Sequence, residues 1–297
     1  MKNTITLMFS AFSLIGCLDT SVDDDLSVDE QGVSWSGMPY GFSGMTNPSG
    51  EMTTKFNATQ SVWGEFGVLD QLADIKAKGG HASFQLSGPN SNFSTNCLFD
   101  MAKWKNRIDR WVPYLSQLKA YVSSGTLIGN YLIDQPEWFE GTDGSGNCAG
   151  HDFVSGNEVE EMARYSKSKL PGIPTIVRSA PTWLKGQRSS YTYLDTAWLQ
   201  YVARYGDPTT KLNAEVQAAK DRHLGLIVGL NLLKGNDGNP LSDSQITNWG
   251  NALLGSTYPC VFISWHYDST YINAHATALT SLANKAANRA ASSCVKH

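Results

Sequence analysis

The fold is most clearly predicted from Leu127-Ile128-Gly129-Asn130-Tyr131-Leu132-Ile133-Asp134-Gln135-Pro136-Glu137-Trp138. The segment Leu127–Ile133 is largely apolar, has β-branched and aromatic members, and lies between Gly125 and Pro136, which predicts a buried strand. Asp134, Glu137 and Trp138 follow it. In a parallel α/β barrel the carboxyl ends of the strands form the active-site face, and paired carboxylates beside an indole suit sugar chemistry. The alternative is that Asp134 only caps the next loop.

Strands and helices alternate along the rest of the chain. The other predicted strands are Met38–Ser43, Ala82–Ser87, Thr175–Arg178, Asp195–Gln200, Leu224–Leu230 and Val261–His266. Helices are predicted near residues 66–78, 98–122 (broken at Pro113), 159–170, 213–222, 242–254 and 274–291. Seven such strands predict a parallel sheet with right-handed crossovers, and 297 residues fit a single α/β domain, a (β/α)8 barrel of the TIM type.

The eighth strand of this barrel has no clear signature. We expect it within residues 44–62, or else the barrel is irregular. The alternative fold is an open doubly wound sheet, which usually carries a Gly-rich phosphate turn after its first strand. The segment Gly41-Phe42-Ser43-Gly44 matches that turn poorly, so the barrel is favoured.

Composition and charge exclude several function classes. Hydrophobic residues make up 41% of the chain and charged residues 17%, which is typical of a globular protein with a large core. The net charge is -4 and no basic block is present, which argues against a nucleic-acid partner. His81, His151, His223 and His266 lack the spacing of metal ligands. We therefore expect a monomer that uses no metal or other cofactor.

The N-terminus predicts export. A small basic start is followed by an apolar segment, Ile5–Ile15, which is too short to span a membrane. The segment ends in Leu14-Ile15-Gly16-Cys17, which resembles the bacterial lipobox, in which the Cys becomes the lipidated N-terminus. The alternative is an ordinary secretory signal that ends near a Cys. We predict a lipoprotein signal peptide over residues 1–17, a flexible acidic tether over 18–33 and the barrel over 34–297, with the protein held at a bacterial membrane.

Four further cysteines predict two disulfides, because an even number in an exported chain implies pairing. Cys97 and Cys148 both follow strands and belong to the carboxyl face of the barrel, whereas Cys260 and Cys294 belong to the opposite face. A disulfide needs Cα atoms within roughly 7 Å, so pairing across the barrel height is excluded. Of the three possible pairings, this topology selects Cys97–Cys148 and Cys260–Cys294.

The carboxyl ends of the strands supply the candidate site residues. Asp134 and Glu137 are the candidate acid and base or nucleophile, with Asp268 in reserve. Each remaining candidate also has a structural explanation, such as an ion pair for Arg178, a loop cap for Asn231 or a core position for Trp265 and His266. The candidates for substrate binding are Gln85, Trp138, Arg178, Gln200, Asn231, Trp265, His266 and Tyr267.

The pattern resembles the glycoside hydrolase superfamily of (β/α)8 barrels. The resemblance rests on Tyr131-Leu132-Ile133-Asp134-Gln135-Pro136, on Ser264-Trp265-His266-Tyr267-Asp268 and on the strand rhythm. In the largest clan of the superfamily one strand ends Asn-Glu-Pro, and that Glu is the acid/base; many exported relatives have Asp-Glu-Pro. Here the corresponding residue is Gln135, and an amide cannot exchange a catalytic proton near neutral pH.

The resemblance implies a surface-anchored glycosidase that acts on a polysaccharide or glycan, with Asp134 or Glu137 in the role of the missing Glu. The alternative, motivated by Gln135, is a non-catalytic glycan-binding or structural lipoprotein on a degenerate barrel.

Overall fold

The computed structural model describes residues 35, 37–45, 47–61, 67–142, 150–290 and 292–296. Eight parallel strands form its centre. Their bounds are β1 Tyr40–Ser43, β2 Ala58–Ser61, β3 His81–Phe84, β4 Leu127–Asp134, β5 Thr175–Arg178, β6 Thr196–Tyr201, β7 Gly225–Leu230 and β8 Val261–Ser264.

The strands close into a barrel in chain order. Each strand pairs in parallel with the next along the chain, and β1 closes on β8 with Tyr40 opposite Phe262. The closed order confirms the predicted (β/α)8 barrel and excludes the open doubly wound sheet. Neighbouring backbones approach so closely that a Cβ on Gly41 would lie 1.8 Å from the carbonyl oxygen of Ala58, which explains glycine at that position.

The eighth strand is β2, Ala58–Ser61, and it lies within the predicted interval of residues 44–62. Gly41 pairs with Ala58 on one side of it, and Ala58 pairs with His81 on the other. The buried Thr59 hydroxyl donates to the carbonyl oxygen of Phe42 at 2.8 Å. This hydrogen bond lets a polar residue occupy an interior strand without an unpaired group.

Helices surround the barrel. Their bounds are α1 Pro48–Glu51, α2 Val68–Ala77, α3 Met101–Asp109, α4 Leu115–Ser123, α5 Gly156–Lys169, α6 Pro181–Gln187, α7 Pro208–Lys220, α8 Asp243–Leu253, α9 Ser269–Ala274 and α10 Ala276–Ala287.

Two helix predictions need correction. The segment predicted over 98–122 begins with a small hairpin, in which Leu98–Phe99 pairs with Ser94–Thr95, before α3 starts. The predicted break at Pro113 is confirmed: a 3-10 turn at Val112–Tyr114 separates α3 from α4, because a proline cannot continue the helix. In addition, α7 begins five residues before the predicted start: Asp207 caps it by accepting from the Thr210 N–H at 2.7 Å.

The apolar side chains form two layers. One lies inside the barrel and contains Ala58, Ile128, Tyr131, Ile176, Trp198, Ile227, Cys260, Val261, Ile263 and Cys294. The second, larger layer lies between the barrel and the helices and includes alternate strand residues such as Phe84, Leu199 and Phe262. This alternation follows the period of two along a strand, so it also tells which polar side chains of each strand face the barrel interior.

The Cys260–Cys294 disulfide is confirmed. It joins the residue before β8 to the C-terminal segment, with Cα atoms 5.3 Å apart. Val295 forms a bridge with Leu224, which precedes β7, so the chain end is fixed at the amino-terminal end of the barrel. Cys97 is also disulfide-bonded, but its predicted partner Cys148 lies outside the described residues, and that pairing stays a prediction.

The predicted export segments lie outside the described residues. They comprise the signal peptide over residues 1–17 with Cys17, and the tether over 18–33. Within the part of the chain that the structure describes, no helix is long and apolar enough to cross a membrane.

Candidate functional site

A layer of buried polar groups lies toward the carboxyl end of the barrel. Gln60 and Gln200 each follow an inward-facing residue, Ala58 or Trp198, by two positions, and Gln85 follows β3 at once. The side-chain nitrogens of all three amides, and the Trp198 Nε1, are buried and make no hydrogen bond to any described residue. Most buried polar atoms in proteins have a partner, so this layer is suited to receive a polar ligand or water.

Asp134 and Arg178 form an ion pair within this end of the barrel. They are paired in register at the ends of β4 and β5, and the Arg178 Nε and Nη2 donate to the two carboxylate oxygens of Asp134. The Arg178 side chain is 10% exposed and that of Asp134 is 35% exposed. The pair therefore keeps a charged arginine inside the barrel, which would be costly for an unpaired charge.

Two aromatic side chains of the barrel interior lie next to the ion pair. The Arg178 guanidinium lies 5.8 Å from the centre of the Trp198 ring, and the Tyr131 ring meets Trp198 edge-on at 5.8 Å. Burial raises the pKa of the Tyr131 phenol well above its ordinary value, and the charge of Asp134 acts in the same direction. Tyr131 therefore stays a neutral phenol next to the pair.

A sharp turn after β4 separates Gln135 from Glu137. Gln135 has φ 44°, in the left-handed region, and its side chain is exposed. The 3-10 turn Pro136–Trp138 follows and leaves Glu137 half-buried. A left-handed conformation is strained for a residue with a side chain. Here it directs the amide that stands at the acid/base position of the clan motif toward solvent.

The carboxyl group of Glu137 is less exposed to water than that of a typical surface glutamate. Burial raises the pKa of its carboxyl group, and the nearby Asp134 charge acts in the same direction, while the Ser179 hydroxyl and Arg178 oppose them. Its Oε2 is buried and makes no hydrogen bond to the described residues. A carboxyl group of raised pKa beside a second, ion-paired carboxylate is the arrangement in which one group can hold a proton that the other has lost.

Trp138 lies outside the barrel mouth. Its side chain is 54% exposed and stacks on His151, with ring centres 3.7 Å apart. It therefore extends the candidate site outward from Glu137, its neighbour in the chain.

The side chains of Asn231 and Asp268, which follow β7 and β8, form hydrogen bonds with nearby backbone N–H groups. The Asn231 side chain accepts from the Lys234 N–H at 2.9 Å, and Asp268 accepts from the Tyr271 N–H at 2.8 Å as the N-cap of α9. The cap formed by Asn231 is the structural alternative expected for it, whereas the capping role of Asp268 was not predicted. The proposed reserve role of Asp268 in catalysis stays a prediction.

Trp265, His266 and Tyr267 are half-buried at the same end of the barrel. The Trp265–His266 peptide bond is cis, and the two rings lie 4.7 Å apart. His266 packs over Gly44, where an added Cβ would come 3.3 Å from its Nδ1. These side chains close the β8 side of the mouth, and their predicted contact with substrate is untested.

Sequence reasoning missed three residues of this layer, Gln60, Tyr131 and Trp198. Gln60 was missed because its strand was not recognised. Trp198 could have been found, because it lies two residues before the predicted candidate Gln200 and so faces the same way along β6. Tyr131 was part of the quoted motif but was not assigned to the site.

No family model matches the chain, and no curated protein matches it in sequence. Solved structures do match. A β-glucanase from Saccharophagus degradans in complex with cellotetraose has TM-score 0.56 and 7% identity, with coverage of 85% of this chain and 89% of that chain. The chain shares the (β/α)8 barrel fold of this β-glucanase.

Two further solved structures have the same fold. A thermostable mutant of a xylanase from Cellvibrio japonicus has TM-score 0.54 and 10% identity, and covers 84% of this chain and 97% of that chain. A hyperthermophilic endocellulase from Pyrococcus horikoshii has TM-score 0.50 and 12% identity, with coverage of 84% and 93%. At these identities the likeness concerns the fold, and the chemistry must be argued from the site itself.

Proposed function

We propose that the protein is a glycoside hydrolase that acts on a polysaccharide or glycan at the carboxyl end of the barrel. Glu137 is the general acid, and Asp134 is the ionised partner that serves as base or nucleophile. Arg178 orients Asp134 through two hydrogen bonds. The site requires no cofactor.

The buried polar layer carries this proposal. Gln60, Gln85 and Gln200 supply side-chain N–H donors, Trp198 supplies an indole N–H, and these nitrogens have no partner in the described protein. Sugars present many hydroxyl groups that can both donate and accept, so they can satisfy such a layer. The aromatic rings at the mouth suit the apolar faces of a pyranose. A purely structural barrel end would have no need of this set.

The chemistry follows from the two carboxyl environments. Glu137 retains its proton to higher pH because burial raises its pKa, so it can donate that proton to the glycosidic oxygen as the bond to the anomeric carbon breaks. Asp134 carries the negative charge that stabilises the developing oxocarbenium ion. It then either bonds to the anomeric carbon, in an intermediate that water hydrolyses while Glu137 takes the water's proton, or itself takes a proton from the water that attacks the anomeric carbon. Carboxyl separations of about 5–5.5 Å and about 6.5–9.5 Å distinguish these retaining and inverting routes.

We also propose that the enzyme is exported and anchored to a bacterial membrane through a lipid on Cys17. The Leu14-Ile15-Gly16-Cys17 sequence supports this proposal. Stable anchoring needs more than one acyl chain, which bacterial lipoproteins carry.

The test is hydrolysis by the wild type, Glu137→Gln and Glu140→Gln. Glu140 is an exposed carboxylate three residues from Glu137, so it is a matched control. The panel contains mixed-linkage β-glucan, cello-oligosaccharides, xylan and mannan, with released reducing ends as the readout. We expect Glu137→Gln to lose about 100-fold or more in rate, as for removal of a general acid, and Glu140→Gln to keep the wild-type rate. Equal rates for the wild type and Glu137→Gln would refute the role of Glu137.

The alternative is a non-catalytic glycan-binding protein on a degenerate barrel. It is supported by the exposed amide of Gln135 at the motif position and by the engagement of both Asp134 oxygens with Arg178. Oligosaccharide binding without turnover across the panel would favour it. Gain of hydrolysis by Gln135→Glu would strengthen it further.

A further inference from the structure

An aromatic surface lies beside the barrel mouth, on the loop that follows β4 and on α6, which follows β5. We call it the rim surface and define it by Trp138, His151, Phe153 and Trp183. Trp138 stacks on His151, and Phe153 meets Trp183 edge-on with ring centres 6.0 Å apart. Trp138 is 54% exposed and Phe153 is 53% exposed. His151 covers one face of the indole, so the opposite face accounts for much of its exposure.

Backbone pairing brings the two halves of the rim surface together. Phe139 and Asp152 form an antiparallel bridge with reciprocal N–H···O bonds of 2.9 and 3.0 Å. In this register Trp138 lies opposite Phe153, and His151 lies two residues away on the same side. All four residues are therefore neighbours on one side of the ribbon or next to it.

The ribbon is anchored on its other side. The Phe139 side chain is fully buried and packs against Phe93 and Phe99. The Asp152 carboxylate accepts from the Phe99 N–H at 2.7 Å and from the Phe153 N–H at 2.8 Å. These contacts leave few ways for the exposed rings to fold inward, so the structure maintains aromatic exposure that a globular protein ordinarily avoids.

The position of the rim surface identifies the kind of ligand that it fits. Trp138 directly follows Glu137 on the same 3-10 turn, with Glu137 half-buried and Trp138 exposed, so a ligand that extends from Glu137 toward solvent on this side reaches the Trp138 ring. The surface is made of ring faces rather than aliphatic side chains, and ring faces stack on the C–H faces of sugar rings, while their polar edges remain hydrated.

We propose that the rim surface binds successive sugar units of one polysaccharide chain that leaves the barrel mouth over Trp138 toward Phe153 and Trp183. The inference rests on the proposed function for the direction of the chain. It adds that the preferred ligand is a polymer longer than the mouth alone can hold.

Affinity electrophoresis tests this proposal without requiring turnover. The wild type, Trp138→Ala, Phe153→Ala, Trp138→Phe and Tyr114→Ala are run in native gels that contain β-glucan, xylan or mannan. Tyr114 is an aromatic residue of similar exposure, 43%, between α3 and α4, and it serves as the control. The rim substitutions are at exposed positions, so folding should be unaffected, and circular dichroism checks this.

We expect at least one polysaccharide to retard the wild type. Trp138→Ala and Phe153→Ala should each weaken binding about 3- to 10-fold, the range that one aromatic stacking contact supplies. Trp138→Phe and Tyr114→Ala should behave as the wild type. Retardation of both alanine variants equal to that of the wild type would overturn the proposal, as would a wild type that no polysaccharide retards.

The outcomes separate this proposal from the hydrolytic one. If no glycan is hydrolysed but a polysaccharide retards the wild type more than Trp138→Ala, the rim surface is supported and the glycosidase is refuted. If short oligosaccharides are hydrolysed and no polysaccharide retards the protein, the glycosidase stands and the rim surface fails.

Discussion

Removing one partner of the Asp134–Arg178 pair should destabilise the protein at least as much as removing both partners. In Arg178→Leu, the Asp134 carboxylate loses both of its guanidinium hydrogen bonds. In Asp134→Leu, a guanidinium inside the barrel loses its counter-charge. In the double variant two leucines replace the pair and no charge is left unpaired. Together with the wild type, these three variants form a double-mutant cycle.

The burial of each partner sets how much free energy of unfolding each single variant loses. Removing one member of a fully buried pair costs about 3–5 kcal/mol. The Asp134 side chain is 35% exposed, so water partly solvates it after Arg178→Leu, and we expect a loss of about 2 kcal/mol in the free energy of unfolding. The Arg178 side chain is only 10% exposed, so Asp134→Leu should cost about 3 kcal/mol. The double variant should lose about 1–2 kcal/mol, well below the sum.

Urea unfolding followed by tryptophan fluorescence and circular dichroism measures these changes at pH 7 and moderate salt. The exposed pair Lys185–Asp221, with side chains 44% and 30% exposed, serves as the control. Its double-mutant cycle should give a coupling of 1 kcal/mol or less, in the range of about 0–1 kcal/mol for surface pairs. If the losses of Arg178→Leu and Asp134→Leu simply add in the double variant, the two side chains are not coupled and the argument for the site's central ion pair fails.

Three further predictions follow from other parts of the chain. Glu137→Gln should raise the free energy of unfolding at about pH 7 but not at about pH 4, because the raised folded-state pKa makes ionisation of Glu137 cost stability as pH increases; an equal effect at both pH values would contradict the pKa argument. Removing the Cys260–Cys294 disulfide with serines, which opens a separation of 34 residues, should cost about 4 kcal/mol by the chain-entropy model and leave kcat unchanged; a large loss of kcat would contradict its place away from the site. Cys17→Ser should move the protein from the membrane fraction to the soluble fraction on centrifugation, and unchanged retention would refute the lipid anchor.

Most of the barrel could be predicted because its strands are buried on both faces. Segments such as Leu224–Leu230 and Val261–Ser264 are short apolar sequences between turn residues, which is typical of parallel strands. Ala58–Ser61 could not be recognised in this way, since Ala-Thr-Gln-Ser has a single apolar residue. Ala58–Ser61 forms a strand because it pairs with β1 on one side and β3 on the other. The Thr59 hydroxyl also donates to a backbone carbonyl oxygen.

The candidate site was predictable where it depended on strand ends and less so where it depended on side-chain direction. Asp134 and Arg178 were both assigned to strand ends, and the structure brings them together. Gln60 depended on a strand without an apolar pattern. The capping role of Asp268 depends on where α9 begins, and helix boundaries are the least certain feature of a sequence. The exposure of Gln135 depends on a left-handed turn that its residue type does not favour.

The central claim is that an oligosaccharide lies at the carboxyl end of the barrel with its scissile bond at Glu137. A crystal structure of Glu137→Gln with an oligosaccharide that the wild type cleaves tests it most directly, because the variant holds the ligand without turning it over. We predict hydrogen bonds from the side-chain N–H groups of Gln60, Gln85 and Gln200 to sugar hydroxyl oxygens, and a glycosidic oxygen within about 3 Å of the side chain at position 137. A ligand bound elsewhere on the protein, or one whose scissile bond lies away from position 137, would contradict the account.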